Sequence, residues 1–289
     1  MLQSVLLGFI FFLLAPVCGA IISGADRFLG ARMQRRQGPT IVQPFYDLYK
    51  FFQKKAYIVN GLQDFLVIGH LMFVMLSGWI IYAGQDILLA VFSLTLAEMF
   101  LCLAAFSASA PYSNMSAQRE LLQMTCTEPM LLLMAIGFYL HAGSFLVSDM
   151  VLGKMPAIVS CPGMFAGFLI ILVIELRKSP FDVSSSHHAH QEMVKGITTD
   201  ISGKLMGWVE LAEWNEIFLM FTFVGLFFVC SNPWSILWAI LAGAGAMFLM
   251  TLIDNTFPRV KWERMLTIVW SSTFIFAGGN LLVLMLLKG

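Results

Sequence analysis

The sequence predicts an all-α fold, a polytopic transmembrane helical bundle of about eight spans with both termini outside. Three observations carry this. Of 289 residues, 59% are apolar and only 12% charged, against roughly 25% charged in a soluble domain. The apolar residues gather in runs of about 20, the length a helix needs to cross a hydrocarbon core of about 30 Å. Lys and Arg, finally, are confined to alternate connections between the runs, the asymmetry that marks cytoplasmic loops.

Taken in order, the first run is Leu2–Ser23. It has no basic stretch ahead of it and is long for the core of a cleaved signal peptide, so it reads as a span. The connection that follows, 24–61, places Phe45, Leu48, Tyr49 and Phe52 at helical spacing, with Lys50, Lys54 and Lys55 at other positions. That pattern predicts an amphipathic helix lying in the interface or against a partner subunit. Leu62–Ala83 and Ile87–Ser109 are the second and third spans, and Leu121–Val147 and Ala157–Leu176 the fourth and fifth. After a polar connection, 177–204, come Leu205–Val229, Trp234–Ile253 and Met265–Leu287. The Ala242-Gly-Ala-Gly-Ala246 stretch contains a GxG but has no strand before it, so it reads as small residues that let helices pack closely. No repeat or linker divides the chain, and 1–289 reads as a single integral membrane domain, with 24–61 an inner amphipathic loop and 177–204 an inner coupling loop.

Net charge is zero, which gives no field for nucleic acid. Fifteen of the 17 Lys and Arg fall in the first, third, fifth and seventh connections, leaving Lys154 and Lys288 elsewhere. The odd connections are therefore expected inside. The five cysteines are scattered with no CxxC pair, so neither an iron-sulfur nor a zinc site is expected in this chain.

Ionisable groups at membrane depth are costly and mark functional paths. Here they are Glu98, Glu128, Glu175, Glu210, Glu213 and Glu216, with His70 and His141 as weaker candidates. Glu98 lies near mid-span. Glu128 precedes Pro129, whose ring removes a helix hydrogen bond and can free a carbonyl for water. Glu210, Glu213 and Glu216 recur every three residues, along one helix face. Carboxyls that cannot all ionise together share protons, which suits a relay. The plainer alternative is that some pair with Arg119, Arg177 or Lys178 and only hold helices together. In the fifth connection, His187, His188 and His190 stand near Asp182 and Glu192. Proton exchange or subunit docking is ranked above metal binding for them, and a solvated polar loop remains a third reading.

The inner connections resemble the subunit 1 family of respiratory complex I, in the branch serving membrane-bound, energy-converting nickel-iron hydrogenases. Asp26-Arg27 with Gln34-x-Arg36-x-Gly38-Pro39 looks like the family's acidic-Arg and QxRxGP pattern, continued by Asp47 and Lys50. Ser116-Ala-Gln-Arg119-Glu120 and Glu128-Pro-Met are similar to the third inner connection and fourth span of hydrogenase relatives. Glu175, Lys178 and Pro180-Phe181-Asp182 resemble ExxRxPFD, with Lys for Arg. Glu192, Gly196 and Thr199-Asp200-Ile-Ser-Gly203 look like ELVxG and TEYSG, and Glu213 stands at a further family carboxylate. Asn255 to Trp262, with Arg259, resembles the PRxR stretch. Where quinone-reducing members carry an acidic EGEAEL-type stretch, this chain has three extra residues and Ser-Ser-Ser-His-His-Ala-His, and its His188-Ala-His190-Gln-Glu192 form looks like the energy-converting hydrogenase type.

The resemblance implies a non-redox membrane-anchor and coupling subunit of a proton- or sodium-translocating hydrogenase. Arg27, Gln34, Arg36, Asp47, Lys50, Arg119, Lys178, Asp182, His187, His188, His190, Asp200 and Arg259 would form docking loops. Glu98, Glu128, Glu175, Glu192, Glu210, Glu213 and Glu216 would serve relay or coupling. The implied partners are hydrogenase large and small subunits, an iron-sulfur subunit, an antiporter-like membrane subunit and membrane lipid. The nickel-iron centre and iron-sulfur clusters would sit in those partners, with no cofactor or metal in this chain. Two alternatives stay open: the quinone-site subunit of a complex I-like NADH or F420H2 dehydrogenase, and a stand-alone ion-coupled secondary transporter.

Overall fold

A computed structural model describes residues 2–55, 60–181, 184 and 193–288. Its long elements are α1 (Leu2–Met33), α2 (Gln43–Gln53), α3 (Gly61–Tyr82), α4 (Ile87–Ser107) and α5 (Pro111–Ala142). Two short turns, α6 (Val147–Val151) and α7 (Ala157–Ser160), lead into α8 (Pro162–Glu175). Then follow α9 (Lys204–Leu226), α10 (Ser235–Thr256), α11 (Trp262–Ser272), a π-helical turn over Thr273–Gly278, and α12 (Gly279–Lys288). Every predicted span falls on helix, the fifth on α7 and α8 and the eighth on α11, the π-helical turn and α12 together. Six are long and apolar enough to cross a membrane. Of the other two, α8 is apolar but has 14 residues, and α9 has 23 but carries Glu210, Glu213 and Glu216.

Two helices overrun their predicted ends. Continuing to Met33, α1 carries Asp26, Arg27 and Arg32 past the apolar run, and α5 begins at Pro111. Hydropathy marks where lipid ends, not where a helix does, and Pro at the first turn costs no intrahelical bond. The fifth run, by contrast, breaks at Cys161-Pro162 into α7 and α8. A side chain 120 residues away repairs that break: Asn280 accepts from the amides of Gly163 (2.9 Å) and Met164 (3.2 Å) and donates to the Ser160 carbonyl (3.0 Å). The orphan donors of a helix start are thereby satisfied inside the bundle.

Local signals set the other helix starts. Asn60 and Asp86 accept from the amides of Leu62 (3.2 Å) and Leu88 (2.8 Å), capping α3 and α4. Gly143, at φ +83°, closes α5 in the left-handed conformation. Near the middle of the bundle, α9 packs against α1, α2, α3 and α10. Gly19 lets α1 approach so closely that an added Cβ would collide with the Trp214 carbonyl of α9. Apolar side chains cover the outward faces of α1, α10 and α12, as a lipid-facing bundle requires. The protein is a multi-pass membrane protein.

The two ends of the bundle differ. At the end without basic connections, Ile87 N–H bonds the Phe145 carbonyl and Val147 N–H the Gln85 carbonyl, both at 3.0 Å, tying two turns together. At the basic end, the predicted amphipathic helix forms as α2. Phe45 and Phe52 pack edge-on against Trp214 and Trp208 of α9, at ring separations of 5.7 and 5.0 Å. Tyr49, expected on that apolar stripe, instead faces outward beside Tyr46.

Candidate functional site

The basic end encloses a polar cavity of about 350 Å³ between α1, α8, α9 and α10. Eight of the residues singled out by sequence line it: Arg27, Gln34, Arg36, Glu175, Lys178, Glu210, Glu213 and Glu216. Three-residue spacing on α9 presents its three carboxyls to one side, where α8 delivers Glu175, Arg177 and Lys178 from its final turn and the residues just beyond.

Arg177 is the centre of this arrangement. Its guanidinium meets Glu213 at 2.9 Å and Glu120 of α5 at 3.9 Å, with its side chain 12% exposed. Burial works against its charge, but the carboxylates of Glu213 and Glu120 outweigh burial and hold its pKa above the ordinary arginine value. Glu120 is fixed from behind, accepting from the Ser184 hydroxyl. Deeper in the bundle, carboxylate oxygens of Glu98 on α4, Glu175 on α8 and Glu216 on α9 lie within 4.8 Å of one another. Three acids at that distance share protons or a cation. At the cavity mouth Arg27 reaches Asp47 of α2 at 3.3 Å and Glu210 at 3.7 Å.

A second cation closes the cavity on its α1 and α10 side. Lys178 pairs with Asp26 of α1 and lies 3.6 Å from Asp254 of α10. Thr251 donates to Asp26 (2.9 Å), and Asp254 accepts from the backbone amide of Ser179 (3.0 Å). One turn on, Val260 N–H bonds the Pro180 carbonyl at 2.7 Å and Phe181 pairs with Val260. Two connections distant in sequence are thus stitched where their family-like motifs meet. Gln34 extends the stitch, donating to Asn255 (2.8 Å) and accepting from Arg36 (2.7 Å).

The other expected residues stand apart from this core. Glu128 is half-buried on α5 and does not line the cavity. Lys50 sits over the Phe51 ring at 5.8 Å. Arg119 lies in the basic-end half of α5, Asp200 follows the short 3-10 turn Gly196–Thr198, and Arg259 precedes the Val260 bridge. Asp182, His187, His188, His190 and Glu192 lie outside the described residues. Sequence reasoning passed over Glu120 and Asp254 as site residues and named Arg177 only as a pairing option. Glu120 carried a signal, adjacency to Arg119 in a family-like motif. Asp254 lies just past a predicted span end, where an acid looks ordinary.

A larger, apolar cleft of about 930 Å³ continues toward the opposite end between α1, α3, α9 and α10, and shares Ile22, Phe221 and Met247 with the polar cavity as common walls.

Comparison with known proteins follows the same outline. The sequence model of a family described as NADH dehydrogenase matches residues 5–285. An NADH-quinone oxidoreductase subunit of Rhodospirillum rubrum is 25% identical over 312 residues, 96% of this chain and 91% of that protein. Hydrogenase-4 component C of Escherichia coli is 27% identical over 230 residues, 72% of this chain and 70% of its own length. Among solved structures, a chain of the membrane-bound sulfane sulfur reductase, an archaeal respiratory membrane complex, has the same fold. It superposes with a TM-score of 0.85 at 23% identity, over 98% of this chain and 99% of that one.

Proposed function

Because the chain belongs to the NADH dehydrogenase subunit 1 family and is a membrane subunit of a complex I-like oxidoreductase complex, we propose that it anchors and couples an ion-translocating, membrane-bound nickel-iron hydrogenase. In this reading the chain holds no redox centre. Its basic connections face the cytoplasm and both ends face outward. Hydrogenase large and small subunits and an iron-sulfur subunit dock on the basic end, and an antiporter-like subunit receives the signal within the membrane.

The observation that carries the coupling role is the succession of ionisable groups from surface to interior. It runs from Arg27 and Glu210 at the cavity mouth, through Arg177 and Glu213, to Glu98, Glu175 and Glu216. A partner that shifts charge at the mouth changes the balance around Arg177, and that change is felt by acids in a low-dielectric interior. Sequence alone ranks Glu128, beside Pro129, and Glu213, at a further family carboxylate, with the other relay carboxyls. Geometry moves the test inward, since Glu213 is committed to Arg177 and Glu128 lies off the cavity.

The likeness to hydrogenase-4 component C and the Ser-Ser-Ser-His-His-Ala-His stretch support the hydrogenase branch. One feature favours a second reading. A polar cavity that meets a long apolar cleft suits an amphipathic ligand with a polar head and a hydrocarbon tail, such as a quinone. Mass spectrometry of the intact detergent-solubilised complex separates the two. A nickel-iron large subunit without bound quinone is the expected composition; co-purified quinone with a flavin or NADH module in place of the hydrogenase would overturn the branch.

A further inference from the structure

One buried titratable side chain has no place in the succession above. His70 of α3 is 1% exposed, and its Nδ1 lies 2.8 Å from the Ala97 carbonyl oxygen. A carbonyl oxygen only accepts, so Nδ1 carries the hydrogen, and in the neutral ring Nε2 is left as a lone pair. Among the described residues Nε2 has no partner. Two turns earlier on the same face stands Gln63, fully buried, with neither amide atom partnered among the described residues.

The register of α3 against α4 makes this a line and not two accidents. Ser77 donates to the Ala90 carbonyl at 2.7 Å, and His70 bonds the Ala97 carbonyl seven residues further along the antiparallel helix. Gln63 continues the heptad toward the basic end, about 10 Å from His70 by helical rise. Unlike Ser77, the lower two positions keep unpartnered atoms among the described residues, Nε2 of His70 and both amide atoms of Gln63. A buried amide and an imidazole lone pair are costly to leave dry, and buried water is the usual remedy at polar sites. Ala97 directly precedes Glu98, a member of the carboxylate group.

We propose that water fills this face of α3 between Gln63 and His70, making His70 a proton-holding station on a side branch that joins the basic end to the carboxylate group. The branch is separate from the cavity mouth at Arg27 and enters along α3. An excess proton carried along the water from the basic end moves onto Nε2, its O–H bond breaking to leave neutral water as the N–H bond forms; that N–H then breaks in turn, and the proton passes through water to an ionised carboxylate of the Glu98, Glu175 and Glu216 group. Because Nδ1 stays tied to Ala97, the ring does not turn over. Gln63 orders the water and does not titrate.

The structural part stands alone, while its use in ion movement rests on the coupling reading. The first test is a cryo-EM map of the whole complex in lipid nanodiscs at a resolution that shows ordered water. Density within about 2.7–3.2 Å of His70 Nε2 and of both Gln63 amide atoms is expected; a dry interface, or protein side chains filling those bonds, overturns the proposal. The second test is His70→Asn, whose shorter amide keeps a donor for Ala97 and removes the titrating nitrogen. Ion movement per turnover in proteoliposomes is expected to fall by about tenfold with assembly intact, a modest share of what a positioned proton carrier supplies. An unchanged ratio removes His70 from the path. If the unaltered complex moves no ions, the coupling reading fails and the water density alone decides this proposal.

Discussion

Replacing Arg177 with methionine is expected to destabilise the complex by about 3–5 kcal/mol, the usual cost of stripping one partner from a buried ion pair. The guanidinium serves Glu213 at 2.9 Å and Glu120 at 3.9 Å, both of them largely buried. Without it two carboxyls face one another in a low-dielectric interior and must take up protons or draw in water. The expected readout is a lower midpoint of thermal unfolding in detergent and a reduced yield of assembled complex. Adding Glu213→Gln should recover part of the loss, since it removes one of the orphaned charges. Equal stability of Arg177→Met and the unaltered protein would show that the pairing contributes nothing.

A second large effect is expected at Lys178. Lys178→Met leaves Asp26 and Asp254 without their common cation, at a cost of about 2–3 kcal/mol, because both keep hydrogen bonds that hold them in place. The damage should concentrate at the stitch between Pro180 and Val260, visible as faster amide exchange at Val260. Lys178→Arg is expected to behave almost as the original, since the guanidinium fork can bridge two carboxylates. Exchange at Val260 that ignores Lys178→Met would separate the ion pair from the loop geometry.

The bundle was legible because its two signals, apolar runs and basic alternation, come from the solvent and not from tertiary contacts. Where partners decide the outcome, legibility ended. The break at Cys161-Pro162 is repaired by Asn280, and nothing local announces a cap supplied from the far end of the chain. At the site, regular spacing exposed the α9 row, and family-like motifs exposed the rim. The convergence of Glu98, Glu175 and Glu216 from three helices could not be read from spacing within any one of them. Arg177 likewise looks like one more basic-loop residue until α5 and α9 close around it. His70 is only a weaker candidate in sequence, and what makes it unusual is tertiary: a buried Nε2 with no partner among the described residues.

The central claim, that carboxyls inside the bundle link the docking face to ion movement, is tested most directly by the ratio of ions moved to turnovers in proteoliposomes holding the complete complex. Glu98→Gln, Glu175→Gln and Glu216→Gln each keep the shape of the side chain and remove its proton exchange. The account predicts that turnover persists in all three while the ratio collapses, most severely at Glu175 and Glu216, which share the cavity with the Arg177 pair. A ratio equal to that of the unaltered complex in all three variants would contradict it.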